Sequence, residues 1–239
     1  FDYDEKGNTR FLSIQFRPQY QYLDQNKEAE ERIYEGETPG VSYGDIAERY
    51  YTVGQYMKEV KDVSKAMAAA GDSYICDEYL NAMGSPEAES VYVLHDLNND
   101  GIEEFFIGLK FNYDIPYYVI YDVYTWKDGR AYQLMRGIGY RNGSCKICEN
   151  GVIEDNYSGS AWDGQTLYHI LPEGGIELET IDSVSSRRDG TVQSYYHWNE
   201  LIDENSLQTI LEQYQPESVT YVDCNRETIE QLRLSGIRK

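Results

Sequence analysis

The chain has 239 residues, and its 21 lysines and arginines against 42 aspartates and glutamates give a formal net charge of −21. With 41% hydrophobic residues and 24 tyrosines, it is too apolar for a disordered acidic tail and long enough to bury a sizeable core. Such a negative charge works against binding to nucleic acid or an anionic membrane surface, because affinity there comes from lysine and arginine. No apolar run approaches the length of about 18 residues that a membrane span needs.

The first half of the chain predicts helices. Residues 1–45 carry no recognisable motif and are left as an unassigned N-terminal extension, whereas residues 46–239 are predicted to form a single domain. From Asp45, apolar side chains recur at alternating spacings of four and three, which predicts a helix with Asp45 as its N-cap and Gly71 as its stop. A shorter helix is predicted over residues 74–83, before a Gly-Ser-Pro turn.

After residue 90 the sequence is typical of β-structure, with short runs of β-forming residues separated by Asp-Gly, Asn-Gly and Gly-Gly turns. The predicted strands are 90–94, 104–109, 117–126, 130–135, 139–147, 152–156, 166–171, 176–184 and 193–198. An amphipathic helix follows from Asp203 to the terminator Pro216, and a last helix is predicted over 225–234. This order predicts an α+β fold, in which N-terminal helices and a C-terminal amphipathic helix pack on an antiparallel β-meander sheet.

The loop of residues 95–104 carries the clearest chemical signal. Oxygen ligands fall at every second position, with a glycine where a sharp turn is needed, which is the pattern that calcium prefers. The candidate ligands are Asp96, Asn98, Asp100, the backbone carbonyl of Ile102, and Glu104. An EF-hand would need helical flanks, but both flanks are predicted strands, so the loop is closer to those of integrin-type propellers. The sequence therefore predicts a structural Ca²⁺ site; the alternative is a plain hairpin turn with solvated acids.

Residues 92–108, with the sequence YVLHDLNNDGIEEFFIG, also carry a family resemblance. They resemble the signature Y-x-L-x-D-I-[DN]-G-[DN]-G-x-x-E-L-L-I-G of exported proteins and lipoproteins from gut-dwelling, Clostridia-like Gram-positive bacteria. Further matches follow in order as far as the C-terminal amphipathic helix, so the resemblance covers roughly residues 46–215. It implies an extracellular or surface-anchored α+β domain and brings no known activity. Asn99 departs from the pattern, which usually has glycine there, and so do residues 103–105.

Enzyme motifs give little support for catalysis. The sequence contains no HExxH, no GxSxG elbow and no phosphate-binding GxxxxGK[ST] loop. His169 and His197 are predicted to be packed or surface residues. Cys145 and Cys148 form a CxxC, for which buried thiols or an incidental disulfide are favoured over a metal or redox site.

The remaining candidate is a ligand-binding surface at Tyr157, Trp162 and Asp163, where an aromatic ring stands beside small residues and an acid. Its ligand would be a glycan or a protein, and the alternative is that the aromatics serve only as strand formers. The sequence thus predicts an exported or cell-surface, non-catalytic binding domain without a nucleic-acid partner. A secreted, glycosidase-like hydrolase that uses two carboxylates is the alternative, since 42 acids always supply some suitably spaced pair.

Overall fold

The computed structural model describes residues 2–3, 9–10, 42–70, 75–127, 129–138, 145–158, 162–171, 176–185, 192–198 and 200–235. The chain divides into two compact units, Phe1–Ile33 and Tyr34–Lys239. In the first unit, the described residues are two short antiparallel strands, β1 (Asp2–Tyr3) and β2 (Thr9–Arg10). All further elements belong to the second unit.

The second unit contains five helices and eleven strands among its described residues. The helices are α1 (Tyr43–Val60), α2 (Val63–Ala70), α3 (Asp77–Met83), α4 (Glu204–Leu211) and α5 (Arg226–Ser235). The strands are β3 (Ala88–His95), β4 (Glu104–Phe111), β5 (Tyr117–Lys127), β6 (Arg130–Arg136), β7 (Cys145–Cys148), β8 (Val152–Ser158), β9 (Trp162–Ile170), β10 (Ile176–Ser185), β11 (Val192–His197), β12 (Glu200–Ile202) and β13 (Val222–Asp223). The predicted α+β class is confirmed.

The strands form two antiparallel sheets where the sequence predicted one. The first sheet has the order β13-β3-β4-β5-β6, and the second has the order β12-β11-β10-β9-β8-β7. Within each sheet, strands that follow one another in the chain are neighbours, as expected for a meander, and β13 alone returns from the end of the chain to pair with β3. The two sheets divide between β6 and β7; of the predicted strand 139–147, residues 139–144 lie outside the described part of the chain.

The predicted N-terminal helix is two helices. Ser42, and not Asp45, caps α1: the Ser42 hydroxyl oxygen accepts a hydrogen bond from the Asp45 backbone N–H and donates to its carboxylate. The helix ends at Val60, and its C-cap Lys61 has a left-handed conformation with φ of 52°. Asp62 then accepts a hydrogen bond from the Lys65 backbone N–H and so caps α2. The apolar spacing continues across this break, which explains why periodicity alone did not show it.

Each sheet has its own apolar core. Helices α1, α2, α3 and α5 pack on the first sheet, and α4 packs on the second. Asp203 caps α4, as predicted, and Leu207 is its buried residue. Both faces of strand β4 are buried. Phe105 and Ile107 belong to the core under the helices, and Phe106, on the opposite face of the strand, is also fully buried.

Candidate functional site

The predicted calcium loop connects β3 to β4, with His95 and Glu104 paired at its base. The prediction of a strand–loop–strand arrangement is therefore confirmed. Asn99 and Gly101 both have positive φ, 58° and 87°, which is how eight residues close between two antiparallel strands. A Cβ added to Gly101 would meet nothing within 4 Å, so this glycine is required by its backbone conformation and not by lack of space.

Three of the predicted ligands converge on the backbone at the tip of the loop. The Asp96 carboxylate accepts hydrogen bonds from the N–H groups of Asp100 (3.1 Å) and Gly101 (2.9 Å). The amide oxygen of Asn98 accepts from the same Asp100 N–H at 3.2 Å. The Asp100 carboxylate in turn accepts from the Ile102 N–H at 2.7 Å. These hydrogen bonds hold the side-chain oxygens of all three residues close to the turn.

The fourth side chain, Glu104, is fully buried beneath the loop. Its carboxylate accepts hydrogen bonds from the Leu97 N–H and from the Thr125 hydroxyl, both at 3.0 Å. Burial raises the pKa of Glu104 to about 7; the two hydrogen bonds act against this rise, and the charges of Asp100 and Asp96 add to it. A buried carboxylate beside two further acids is costly unless it takes up a proton or a positive charge balances it.

In the described part of the chain, the donors to Asp96, Asp100 and Glu104 are backbone N–H groups, the Asn98 amide and a hydroxyl, and all are uncharged. No three His, Cys, Asp or Glu side chains among the described residues stand in an arrangement that would hold a metal ion. Calcium is also bound by amide and backbone carbonyl oxygens, which do not belong to His, Cys, Asp or Glu side chains. Each carboxylate keeps acceptor capacity, because it offers about four lone-pair sites and uses two.

The loop also touches the second sheet. The Asn98 amide N–H donates to the Leu171 carbonyl oxygen, just beyond β9, at 3.1 Å. The His95 ring nitrogen lies 2.9 Å from a carboxylate oxygen of Glu217, in the segment after α4. The candidate calcium loop therefore lies where the two sheets meet, and an ion there would stiffen the junction between them.

The predicted ligand-binding residues lie on one hairpin. Tyr157 of β8 pairs with Gly164 of β9, and Trp162 and Asp163 form the start of β9. Their side chains lie outside the described part of the structure, so this prediction stays a prediction.

Sequence reasoning missed a cluster on the second sheet around Glu179. Two histidines from neighbouring strands meet at this buried carboxylate: His169 Nε2 lies 2.9 Å from one oxygen, and His197 Nε2 lies 2.7 Å from the other. The Tyr214 hydroxyl donates to it at 2.7 Å. Burial acts to raise the pKa of Glu179, but the hydrogen bonds from Tyr214, His197 and His169 outweigh it, and the pKa is lowered. The cluster ties three strands to the segment after α4.

A second polar network lies inside the core of the first sheet. Asp122 is fully buried; its carboxylate accepts from the Tyr50 hydroxyl at 2.5 Å and from the Gly137 N–H at 2.9 Å. The hydroxyls of Tyr50 and Tyr124 lie 2.9 Å apart. Burial raises the pKa of Asp122 to about 6, against the effect of these hydrogen bonds. Part of the tyrosine excess is thus used to satisfy buried polar groups.

All four cysteines are free thiols and buried. Burial is the main cause that raises the pKa of each thiol, to about 11 for Cys148 and about 12 for Cys224. Because the thiolate is the reactive form, these side chains are poor nucleophiles. Of the two favoured interpretations of the CxxC, buried thiols are confirmed.

The β4–β5 hairpin carries the most exposed aromatic group that the structure describes. Tyr113 and Tyr117 are 50% and 47% exposed, and Ile115 between them is 82% exposed. Unlike the acids of the β3–β4 loop, these residues belong to no sequence motif. The sequence feature that could have indicated them is a group of large apolar residues within a predicted turn.

No helix in the described ranges combines the length and the apolar character that crossing a membrane requires. Comparison of the chain with known proteins finds no matching family model, no similar curated protein and no similar solved structure.

Proposed function

We propose that this chain is a non-catalytic binding domain of an exported or surface-anchored bacterial protein, and that one Ca²⁺ ion stabilises its β3–β4 loop. The family resemblance of residues 92–108 supports the location outside the cytoplasm. The composition supports it as well, because an acidic surface keeps an exported domain soluble.

One observation carries the calcium proposal: Glu104 is fully buried next to Asp96 and Asp100, and its described hydrogen-bond donors are uncharged. Buried charges in proteins are usually paired or bound to a metal. A divalent cation with hard oxygen ligands answers that need, and Asn98 and the Ile102 carbonyl would complete the set. The ion would act structurally, since the loop joins two strands and contacts the second sheet through Leu171.

Thermal unfolding tests this proposal. We expect the wild type to melt about 5–10 °C higher in calcium, at a free concentration of about 100 times the Kd, than in a chelator. A ligand that binds only the folded state stabilises that state. Asp100→Ala should lose the calcium-dependent rise. Glu59→Ala, which removes one exposed acid from α1, is the charge-matched control and should keep it. A wild type that melts at the same temperature with calcium and with chelator would contradict the proposal.

A further inference from the structure

A lysine, an asparagine and a glutamine meet at one oxygen of the buried Glu154 carboxylate. Lys146 Nζ lies 3.1 Å from Oε1, Asn156 Nδ2 lies 2.5 Å from it, and Gln165 Nε2 lies 3.3 Å from it. The other oxygen, Oε2, has only the Cys148 thiol among its described contacts, at 3.9 Å. A carboxylate oxygen offers about two lone pairs, so three nitrogens exceed what Oε1 can accept. Oε1 therefore holds an amine and a primary amide side by side.

The register of the second sheet places these groups on one face. Lys146 of β7 pairs directly with Glu154 of β8, and Asn156 is two residues further along β8. Because side chains two apart on a strand share a face, Lys146 and Asn156 are diagonal neighbours. Such neighbours lie about 7–8 Å apart, which is within reach of a long side chain. The lysine amine can therefore meet the asparagine amide without any shift of the strands.

The site is closed on the side of the carboxylate and open on the side of the lysine. The Glu154 side chain is 6% exposed, whereas that of Lys146 is 44% exposed. Glu154 pairs with Leu167 of β9, which belongs to the buried core of the second sheet together with Cys148 and Val152. Low exposure strengthens the electrostatic contact between Oε1 and its nitrogen neighbours. A small product can leave along the exposed lysine side.

We propose that Lys146 and Asn156 join through an intramolecular isopeptide bond, with Glu154 as the group that moves the proton. The Lys146 ammonium gives one proton to Oε1, and the neutral amine attacks Cγ of Asn156, so that an Nζ–Cγ bond forms. Oε1 passes its proton to Nδ2, and the Cγ–Nδ2 bond breaks. Nζ loses one more proton, which leaves with the released ammonia as ammonium. No oxidant, reductant or other reactant is needed.

The contacts of Oε1 suit both halves of this step. A general base must lie within hydrogen-bond reach of the proton that it takes, and the same holds for the acid that protonates a leaving group. Oε1 contacts the attacking nitrogen of Lys146 and the leaving nitrogen of Asn156 at once. Gln165 also carries a primary amide, but its nitrogen lies further from Oε1, at 3.3 Å. Asn156 is therefore the acyl group that the geometry favours.

The bond would fasten the shortest part of the second sheet. Strand β7 has four residues and lies at the end of the strand order described for this sheet, beside β8. A covalent link from Lys146 to Asn156 would keep β7 paired with β8 even when the surrounding strands open. This inference goes beyond the proposed binding role and does not depend on it or on calcium.

The intact mass of the full chain tests this proposal. Formation of the bond releases one ammonia, so the folded wild type should be lighter than its sequence requires by about 17 Da. Lys146→Arg, Glu154→Gln and Asn156→Ala should each have the full mass of their sequence. Lys146→Arg is the mildest of these, because it keeps a positive charge beside Glu154. Lys127→Arg, at the exposed end of β5, is the matched control and should lose ammonia as the wild type does.

Tryptic peptides locate the bond. Trypsin does not cleave after an acylated lysine, so residues 142–187 should remain one peptide that lacks about 17 Da, with Lys146 and Asn156 linked within it. In Lys127→Arg the same peptide should appear. Where a variant does not fold, the wild-type mass and this peptide still decide the outcome.

The proposal is overturned if the folded wild type has the full mass of its sequence, since the cluster is then an ordinary buried ion pair. It is also overturned if Lys146→Arg loses ammonia as the wild type does, because the loss then indicates a succinimide at an Asn-Gly sequence such as Asn150-Gly151. A bond between Lys146 and Gln165 would contradict the assignment of Asn156.

Discussion

Two buried acids, Asp122 and Glu179, have pKa values shifted in opposite directions, and the difference lies in what surrounds each of them. Asp122 is enclosed in the core of the first sheet, where burial outweighs its two hydrogen bonds and raises the pKa to about 6. Glu179 has three donors from neighbouring elements, and its pKa is lowered. The folded protein therefore keeps a proton on Asp122 at a pH where the unfolded chain has released it, and it does the reverse at Glu179.

This difference predicts how Asp122→Asn responds to pH. In the wild type, the contribution of Asp122 to the free energy of unfolding falls by about 3 kcal/mol as pH rises from about 4 to above 6, because the folded state binds its proton more tightly than the unfolded state does. The variant lacks this loss, and its amide can donate to Tyr50, which then donates to Tyr124. The free energy of unfolding of Asp122→Asn, measured in urea, should therefore increase relative to that of the wild type as pH rises from about 4 to above 6.

Glu179→Gln is the control with the opposite sign. A lowered pKa contributes stability above the unfolded value of about 4.3 and loses it as pH falls through the folded pKa. The variant should therefore become less stable relative to the wild type as pH rises from the folded pKa to the unfolded value of about 4.3, and the difference should stay constant above it. A stability difference between Asp122→Asn and the wild type that stays constant with pH would contradict the account of Asp122.

At the scale of elements, Gly108 decides how β4 pairs with β5. The pairing skips one residue of β5 between Ile107 and Gly108, and a Cβ on Gly108 would lie 2.1 Å from the Val119 carbonyl oxygen. A glycine inside a strand often marks such a close approach of two backbones. This contact could not have been predicted from sequence, because it depends on which residues of β5 face Gly108.

We expect Gly108→Ala to lower the free energy of unfolding by about 3 kcal/mol, since the clash is with a backbone atom that cannot turn aside. Gly54→Ala in α1 is the matched control. There, the nearest atom to the added Cβ is the terminal methyl of Met83, at 2.7 Å. That flexible side chain can move, and alanine favours the helix by about 1 kcal/mol, so urea unfolding should show a change within about 1 kcal/mol. Equal effects of the two substitutions would contradict this account.

The sequence predicted elements well where the signal is local. The Asp203 cap and the Asn150-Gly151 turn depend on neighbouring residues, and the structure has them where they were expected; the predicted turns at 174–175 and 189–190 lie outside the described residues. The break after Val60 was missed because Lys61 has no feature of a helix stop, such as glycine; only its left-handed φ shows it. The short strand β13 was missed because it forms only by pairing with β3. Val222 of β13 pairs with Tyr92 of β3, which lies 130 residues earlier in the chain.

The same distinction holds for the candidate sites. The acids of the β3–β4 loop are adjacent in sequence, so spacing was enough to propose them. The meeting of His169, Glu179 and His197 depends on the register of three strands, which sequence patterns do not supply. The exposed aromatic group of the β4–β5 hairpin was missed because three exposed large side chains in a hairpin look like strand formers until their exposure is known.

At the scale of the whole molecule, three of the 42 acidic residues have a specific place: Asp96, Asp100 and Glu104 belong to the loop that contacts both sheets. If the loop binds calcium, the ion lies where Asn98 contacts Leu171, and its effect extends beyond the loop to the second sheet.

The calcium content of the chain at equilibrium is the most direct test of that claim. After dialysis against a dilute calcium buffer, metal analysis should find one Ca²⁺ ion per wild-type chain and none bound to the Asp96→Asn, Asp100→Asn double variant. Both substitutions keep the size of the side chain, remove its charge and replace one acceptor oxygen by an NH2 donor. A wild type that retains no more calcium than the double variant would contradict the account.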